Sequence, residues 1–304
     1  MNTMTAGTAP TRVKGPIVWL NMDQEELDNA YDQIVYAPNR DQVAKRRLAN
    51  SALARARLGE PLRFAYGPTP IEGLDVYRSS RPNAPVAIFV HGGAWLNGAA
   101  SEFTCLAEPF VNAGAHFAVL DFTNVTEAGG SLFPMVEQVR RAVGFLYRNA
   151  EKFGVDRDRL YLISHSSGSH LAGCVVTSDW AKEGLPLDIL KGAALSSGMY
   201  DLKPVRLSKR SKYVKFTDAM ENELSAIRHI GRLHTPLVLT YGTCETPEFQ
   251  RQSREFAAAV KTAGKPVELL VGEGYNHFEM LETLANPYGL LGRAVFKQMG
   301  LSQT

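Results

Sequence analysis

The chain is short of the residues that would staple, chelate or anchor a protein. Among 304 residues it has three cysteines, Cys105, Cys174 and Cys244. They are widely spaced and odd in number, which excludes a disulfide framework and predicts free thiols in a reducing compartment. Cys244 is expected to fill space rather than react. No HExxH motif and no cysteine–histidine cluster occurs, so no metal site is expected. No apolar run is long enough to cross a bilayer, and the first ten residues lack a charged region followed by an apolar core. A cytoplasmic protein with no membrane partner is the expectation. Net charge is scarce too, at +2 with 21% charged residues, which argues against nucleic acid as a partner.

What remains is an ordinary globular composition, 45% hydrophobic, in a chain long enough for one large α/β domain. Residues 1–15 are expected to be mobile and residues 16–304 to form the single domain. Within it, residues 16–60 read as a helical N-terminal extension, helical from Met22 to Gly59 and laid over the core or the site mouth. A strand pair, Leu62–Tyr66 and Leu74–Tyr77, flanks a Gly-Pro-Thr-Pro turn. Short apolar strands then alternate with helices. The strands are Val86–Val90, His116–Asp121, Leu160–Ile163, Gly192–Ser196, Leu237–Tyr241 and Val267–Val271, and the helices include Pro134–Phe153, Gly168–Trp180 and Thr246–Ala263. This rhythm predicts a mostly parallel central sheet with helices on both faces. Residues 200–233 interrupt it and are expected to form a small cap insertion. Their basic cluster, Arg206, Lys209, Arg210, Lys212 and Lys215, reads first as a solvated loop and second as a rim that attracts anionic substrates.

Three segments carry chemistry. In Leu160-Tyr-Leu-Ile-Ser-His-Ser-Ser-Gly168 an apolar strand meets a sharp turn and then a helix, the setting of a nucleophile elbow with Ser166 at its tip. Ser164 stands where G-x-S-x-G has its first glycine; Gly168 keeps the second. His91-Gly-Gly-Ala-Trp95 follows an early strand, as the oxyanion loop does in α/β-hydrolases. The expected oxyanion donors are the N–H groups of Gly93, Ala94 and Ser167. His277, in Gly272-Glu-Gly-Tyr-Asn-His277, follows the last strand, where this fold places its general base. The order serine, acid, histidine requires a carboxylate between Ser166 and His277. Glu245, just after the strand Leu237–Tyr241, is preferred, with Asp201 as the alternative acid; Glu248 is expected to open the next helix. His165 and His170 are read as packing or hydrogen-bonding groups, and His91 as a buried support of the oxyanion loop.

These segments resemble the kynurenine formamidases (arylformamidases) of the α/β-hydrolase superfamily, from about Leu20 to Gly300. The resemblance includes Met22-Asp-Gln-Glu-Glu-Leu-Asp-Asn-Ala-Tyr31, Tyr66-Gly67, His91-Gly-Gly-Ala-Trp95 and Ser164-His-Ser-Ser-Gly168. It continues through His170-Leu-Ala-Gly173, Ser197-Gly-Met-Tyr-Asp-Leu202, Glu245-Thr-Pro-Glu-Phe249, Gln252-Ser253 and Asn276-His-Phe278. It implies hydrolysis of an N-formyl aryl amine such as N-formylkynurenine, with Ser166 and His277 catalytic, Gly93 and Ala94 as oxyanion donors and Glu245 in the place of the triad acid. The chain departs from the family at Ser164, at Ser167 where alanine is common, and over Asp121–Gly130, which lacks a Tyr-Leu-Ala-Pro pattern. That loop is expected to border the pocket.

The expected activity is therefore that of a serine hydrolase acting on a small-molecule acyl amide, with no cofactor. A carboxylesterase for short acyl esters is the alternative, and a non-catalytic ligand-binding scaffold on the same fold is a third reading. The complete serine, acid and histidine set separates the first two from the third. The sequence leaves a homodimer open.

Overall fold

A computed structural model describes residues 13–302; residues 1–12, most of the segment expected to be mobile, lie outside the described residues. Lys14 pairs with Glu26, and the Gly15 amide donates to Asp23 at 2.8 Å. An antiparallel ribbon of β1 (Ile17–Trp19) and β2 (Met22–Asp23) leads into a helix at Gln24–Ala30. Asp23 caps that helix and forms a capping box with Glu26.

The expected helix over residues 22–59 is interrupted. A 3₁₀ turn occupies Gln33–Tyr36, and a second helix runs from Arg40 to Leu58. Pro38 lies in the gap; it disfavours helical geometry at Ala37, which sits at φ −130°, ψ 78°.

The central sheet has eight strands. They are β3 (Leu62–Ala65), β4 (Gly73–Tyr77), β5 (Ala84–Val90), β6 (His116–Leu120), β7 (Val155–His165), β8 (Gly192–Ser196), β9 (Leu237–Gly242) and β10 (Val267–Gly272). Their spatial order is β10-β9-β8-β7-β5-β6-β4-β3. All pairings from β6 to β10 are parallel, and β4 runs antiparallel to both β6 and β3. β5 is buried at every position, as a central parallel strand covered on both faces must be. Its alternate residues divide the core: Val86, Ile88 and Val90 join one apolar cluster, Ala87 and Phe89 the other. The first cluster takes the inward stripe Met135, Val136, Val139, Val143 and Leu146 of the helix Phe133–Arg148. The second takes Phe110 and the helix Leu290–Met299.

Two helices end earlier than expected. Phe133–Arg148 stops before Asn149, and Ala150–Phe153 forms a separate turn closed by Gly154 in the left-handed region. The helix after β7 ends at Val176; there Thr177 and Ser178 turn their hydroxyls back onto the Gly173 and Cys174 carbonyls. Residues 200–233 contain short helices at Leu202–Leu207 and Asp218–Glu223 with 3₁₀ turns at Lys209–Lys212 and Ala226–Arg232. All three cysteines are free thiols. Cys244 is exposed and fills no interior space, because it lies in the turn leaving β9, beyond the packed sheet. Among the described residues no helix is long and apolar enough to cross a membrane.

Candidate active site

Parallel strands bring their C-terminal ends to one edge, and the candidate residues follow four of them: His91-Gly-Gly-Ala after β5, Ser166 after β7, Glu245 after β9 and His277 after β10. Ser166 takes φ 59°, ψ −128° between the end of β7 and the helix Ser167–Val176. A serine held there stores about 1–3 kcal/mol of backbone strain. Two features enforce the turn. The Ser166 amide donates to the Ser196 carbonyl at 2.9 Å. Gly168 lies against β5, where a side chain would collide with the Val90 and His91 carbonyl oxygens. Ser164, where the motif has glycine, has its hydroxyl satisfied: it meets Ser169 Oγ at 3.0 Å, and Ser169 in turn donates to the Ser196 carbonyl at 2.7 Å.

The loop after β5 places Gly93, Ala94 and Trp95 successively at φ 122°, 57° and 64°. Such a run lifts amides out of the local hydrogen-bond pattern. The Leu96 and Asn97 amides both donate to the Gly93 carbonyl, and Trp95 N–H donates to Ser167 Oγ at 3.2 Å, tying the loop to the elbow. Among the described residues the Gly93, Ala94 and Ser167 amides donate to no protein group. His91 stacks between Phe103 and Phe122, and its Nδ1–H donates to the Gly92 carbonyl at 2.8 Å. Burial holds its pKa below the usual histidine value, so it stays a neutral support.

His277 Nε2 lies 2.7 Å from Ser166 Oγ, and its Nδ1 lies 2.7 Å from Glu245 Oε2. All three side chains are buried. Glu245 Oε1 accepts from Ser197 Oγ at 2.6 Å and from the Gly242 amide at 2.7 Å, while Oε2 also accepts from Gln33 Nε2 at 3.2 Å. His277 opens a helix capped by Asn276, whose side-chain amide donates to Asn39 Oδ1 at 2.7 Å. Asp201, the alternative acid, is elsewhere engaged. It caps the helix Leu202–Leu207 and pairs with Arg228 at 3.2 Å. Glu248 lies in the first turn of the helix Pro247–Thr262, bonded to Tyr31 Oη and Arg251.

The two neighbouring histidines bond to backbone. His165 Nε2 donates to the His277 carbonyl at 2.8 Å, and His170 Nε2 to the Leu224 carbonyl at 3.0 Å. Burial, and then the charge of His277, hold His165 well below its ordinary pKa; burial pushes His170 down to about 4. Both are therefore neutral, and His277 is the imidazole in reach of Ser166.

A cavity of about 580 Å³ opens over Ser166 and His277. Its walls come from residues 31–47 of the N-terminal segment, the loop 92–103 and residues 209–213. The loop Asp121–Gly130, expected at its border, contributes no wall. Asp121 instead holds Arg63 and the Ala100 amide, and Phe122 packs on His91, so the loop is spent on supporting the layer beneath. The basic cluster is largely matched by carboxylates. Arg206 pairs with Asp218 and Glu221 and Lys209 with Asp32; Lys212 and Lys215 are exposed. Arg210 is buried at the cavity wall, with Nη1 donating to Tyr213 Oη at 2.8 Å and Nη2 to the Tyr31 carbonyl at 3.1 Å. Gln33, Asn39, Ser197 and Tyr213 were invisible as site residues in the sequence, since polar residues at such separations carry no local signal. Arg210 showed only as one member of a basic run.

Residues 74–227 match the BD-FAE family. The kynurenine formamidase of Danio rerio is 30% identical over 297 residues, covering 93% of this chain and 99% of its own. The chain belongs to the kynurenine formamidase family. An isoprenylcysteine α-carbonyl methylesterase of Arabidopsis thaliana is 27% identical, over 71% of this chain and 56% of that one. A hyperthermophilic esterase from Pyrobaculum calidifontis superposes with a TM-score of 0.71 at 17% identity, covering 87% and 93% of the two chains. The latter shows the fold, an α/β-hydrolase with a mostly parallel eight-stranded sheet. Family membership makes the chain a hydrolase, as its motifs indicate.

Proposed function

We propose that the chain is a serine hydrolase that cleaves an N-formyl aryl amine such as N-formylkynurenine to the free amine and formate. The observation that carries the reading is the pair of 2.7 Å contacts by which His277 links Ser166 to Glu245 beneath the cavity. His277 takes the Ser166 proton as Oγ attacks the formyl carbon, and Glu245 fixes the ring orientation. The N–H groups of Gly93, Ala94 and Ser167 stabilise the tetrahedral oxyanion; loss of one such donor typically costs about 3 kcal/mol. His277 then protonates the departing amine, and water releases formate from the formyl-enzyme by the same route. A formyl group needs almost no acyl pocket, so a cavity of about 580 Å³ is available to an aromatic leaving group. The similarity to a kynurenine formamidase over nearly the whole chain supports this substrate class.

A second reading, a carboxylesterase for short acyl groups, is favoured by the similarity to a methylesterase. The same site would serve, since ester and amide share the attack and differ in leaving-group protonation. A matched steady-state comparison decides between them: N-formylkynurenine against 4-nitrophenyl acetate and butyrate, with native protein and Ser166→Ala. The formamidase reading expects kcat/KM for the formamide well above both esters. Turnover of the esters alone would transfer the site to the carboxylesterases, and activity surviving in Ser166→Ala would remove the nucleophile. A reducing compartment such as the cytoplasm suits three free thiols.

A further inference from the structure

The charges around the cavity do not balance. Three of its cations have carboxylate partners: Arg40 with Asp41, Arg47 with Glu102, and Lys209 with Asp32. Arg210 makes no ion pair among the described residues. It is nevertheless 6% exposed, with its guanidinium 5.3 Å from the centre of the Trp95 ring and its Nε without a partner. A buried guanidinium without an anion is costly. Stacking on Trp95 offsets part of that cost, yet of five N–H donors only two are used within the protein. Tyr213 Oη accepts from Arg210, so its own O–H remains to be given, and among the described residues it donates to none. Both side chains line the cavity that contains Ser166. Trp95 directly follows Ala94 in the proposed oxyanion loop, so the unmatched charge stacks on that loop and shares the cavity of Ser166.

We infer that Arg210 and Tyr213 form a carboxylate-binding subsite, so that the preferred substrate carries its negative charge on the leaving group. A carboxylate fits because it accepts from a guanidinium and a phenol together. The leaving group is the side that carries it, because a formyl group has nothing to bear a charge; to that extent the inference rests on the formamidase reading. The subsite determines specificity and takes no part in bond making.

The test reads a ratio. kcat/KM is measured for N-formylkynurenine and for its α-carboxamide, and in parallel for 3-acetoxybenzoate and 3-acetoxybenzamide. In the native protein the carboxylate member of a hydrolysed pair is expected to lead by about 30-fold or more. Arg210→Met should bring the ratio close to one, with the loss mainly in KM, and Arg210→Lys should retain an intermediate preference. A purely structural Arg210 would lower both members equally and keep the ratio, which overturns the subsite. A native ratio near one overturns it as well, whether or not the variants fold. If neither formamide is hydrolysed, the formamidase reading fails, and the acetate pair still decides the subsite.

Discussion

Gln33, on the 3₁₀ turn of the N-terminal segment, donates to the carboxylate of Glu245 at 3.2 Å across 212 residues of sequence. Its own carbonyl accepts from the Thr246 amide at 3.3 Å. The same side chain therefore grips both the proposed acid and the backbone beside it, coupling the N-terminal segment to the geometry of the candidate site. Gln33→Leu removes both bonds. The expected result is a fall in kcat of about tenfold with KM changed less than twofold, matching the loss of roughly one hydrogen bond to a charged group. Steady-state kinetics on any turned-over substrate checks it; a change confined to KM would assign Gln33 to the cavity wall alone.

Ser166, His277 and Glu245 meet at 2.7 Å contacts and should act as one unit. Ser166→Ala and His277→Ala are each expected to lower kcat by about 10⁴-fold or more, and the double variant little further. Glu245→Gln should cost about 10³- to 10⁴-fold by misorienting the imidazole. Kinetics on the single and double variants measures this, and additive losses would contradict it.

Gly168 is fixed by its contact with β5. The methyl of Gly168→Ala would meet the Val90 and His91 carbonyl oxygens, backbone atoms that cannot rotate away. Forcing the helix off the sheet should cost about 2–3 kcal/mol. Urea unfolding should show the midpoint falling with the slope unchanged; an unaltered midpoint would mean that the elbow is not packed this tightly.

Acid should destabilise the fold through its buried histidines. The folded pKa of His170 is pushed down to about 4 by burial, whereas an unfolded histidine titrates near 6.5. Between those values the unfolded chain binds the extra proton, so stability rises with pH across that window and is lost as pH falls through it. The contribution of His170 is about 3 kcal/mol. His165 and His91, shifted the same way, add to the slope. Urea unfolding from pH 7 to pH 4 should show this loss, and His170→Gln should flatten the slope.

The strands were legible because a parallel sheet covered on both faces demands near-continuous apolar runs, which β5, β8 and β9 display. The elbow and the glycine loop were legible for a related reason: a positive φ at Ser166 and the absence of room at Gly168 demand particular small residues at fixed local spacing. Backbone requirements of this kind are written in adjacent residues, so sequence alone determined the fold class and set Ser166 at a strand-to-helix turn; His277 was a candidate by its place after the last strand. The choice of Glu245 over Asp201 was not local, since both follow strands. The sequence ranked Glu245 first; the pairing of β8 with β9 and of β9 with β10 is what brings Glu245 to 2.7 Å from His277 and leaves Asp201 to cap a helix. Likewise five basic residues in one short segment look alike in sequence. Burial and partner assignment, properties of the packed chain, neutralise two of them, leave two in solvent and set Arg210 unmatched in the cavity wall.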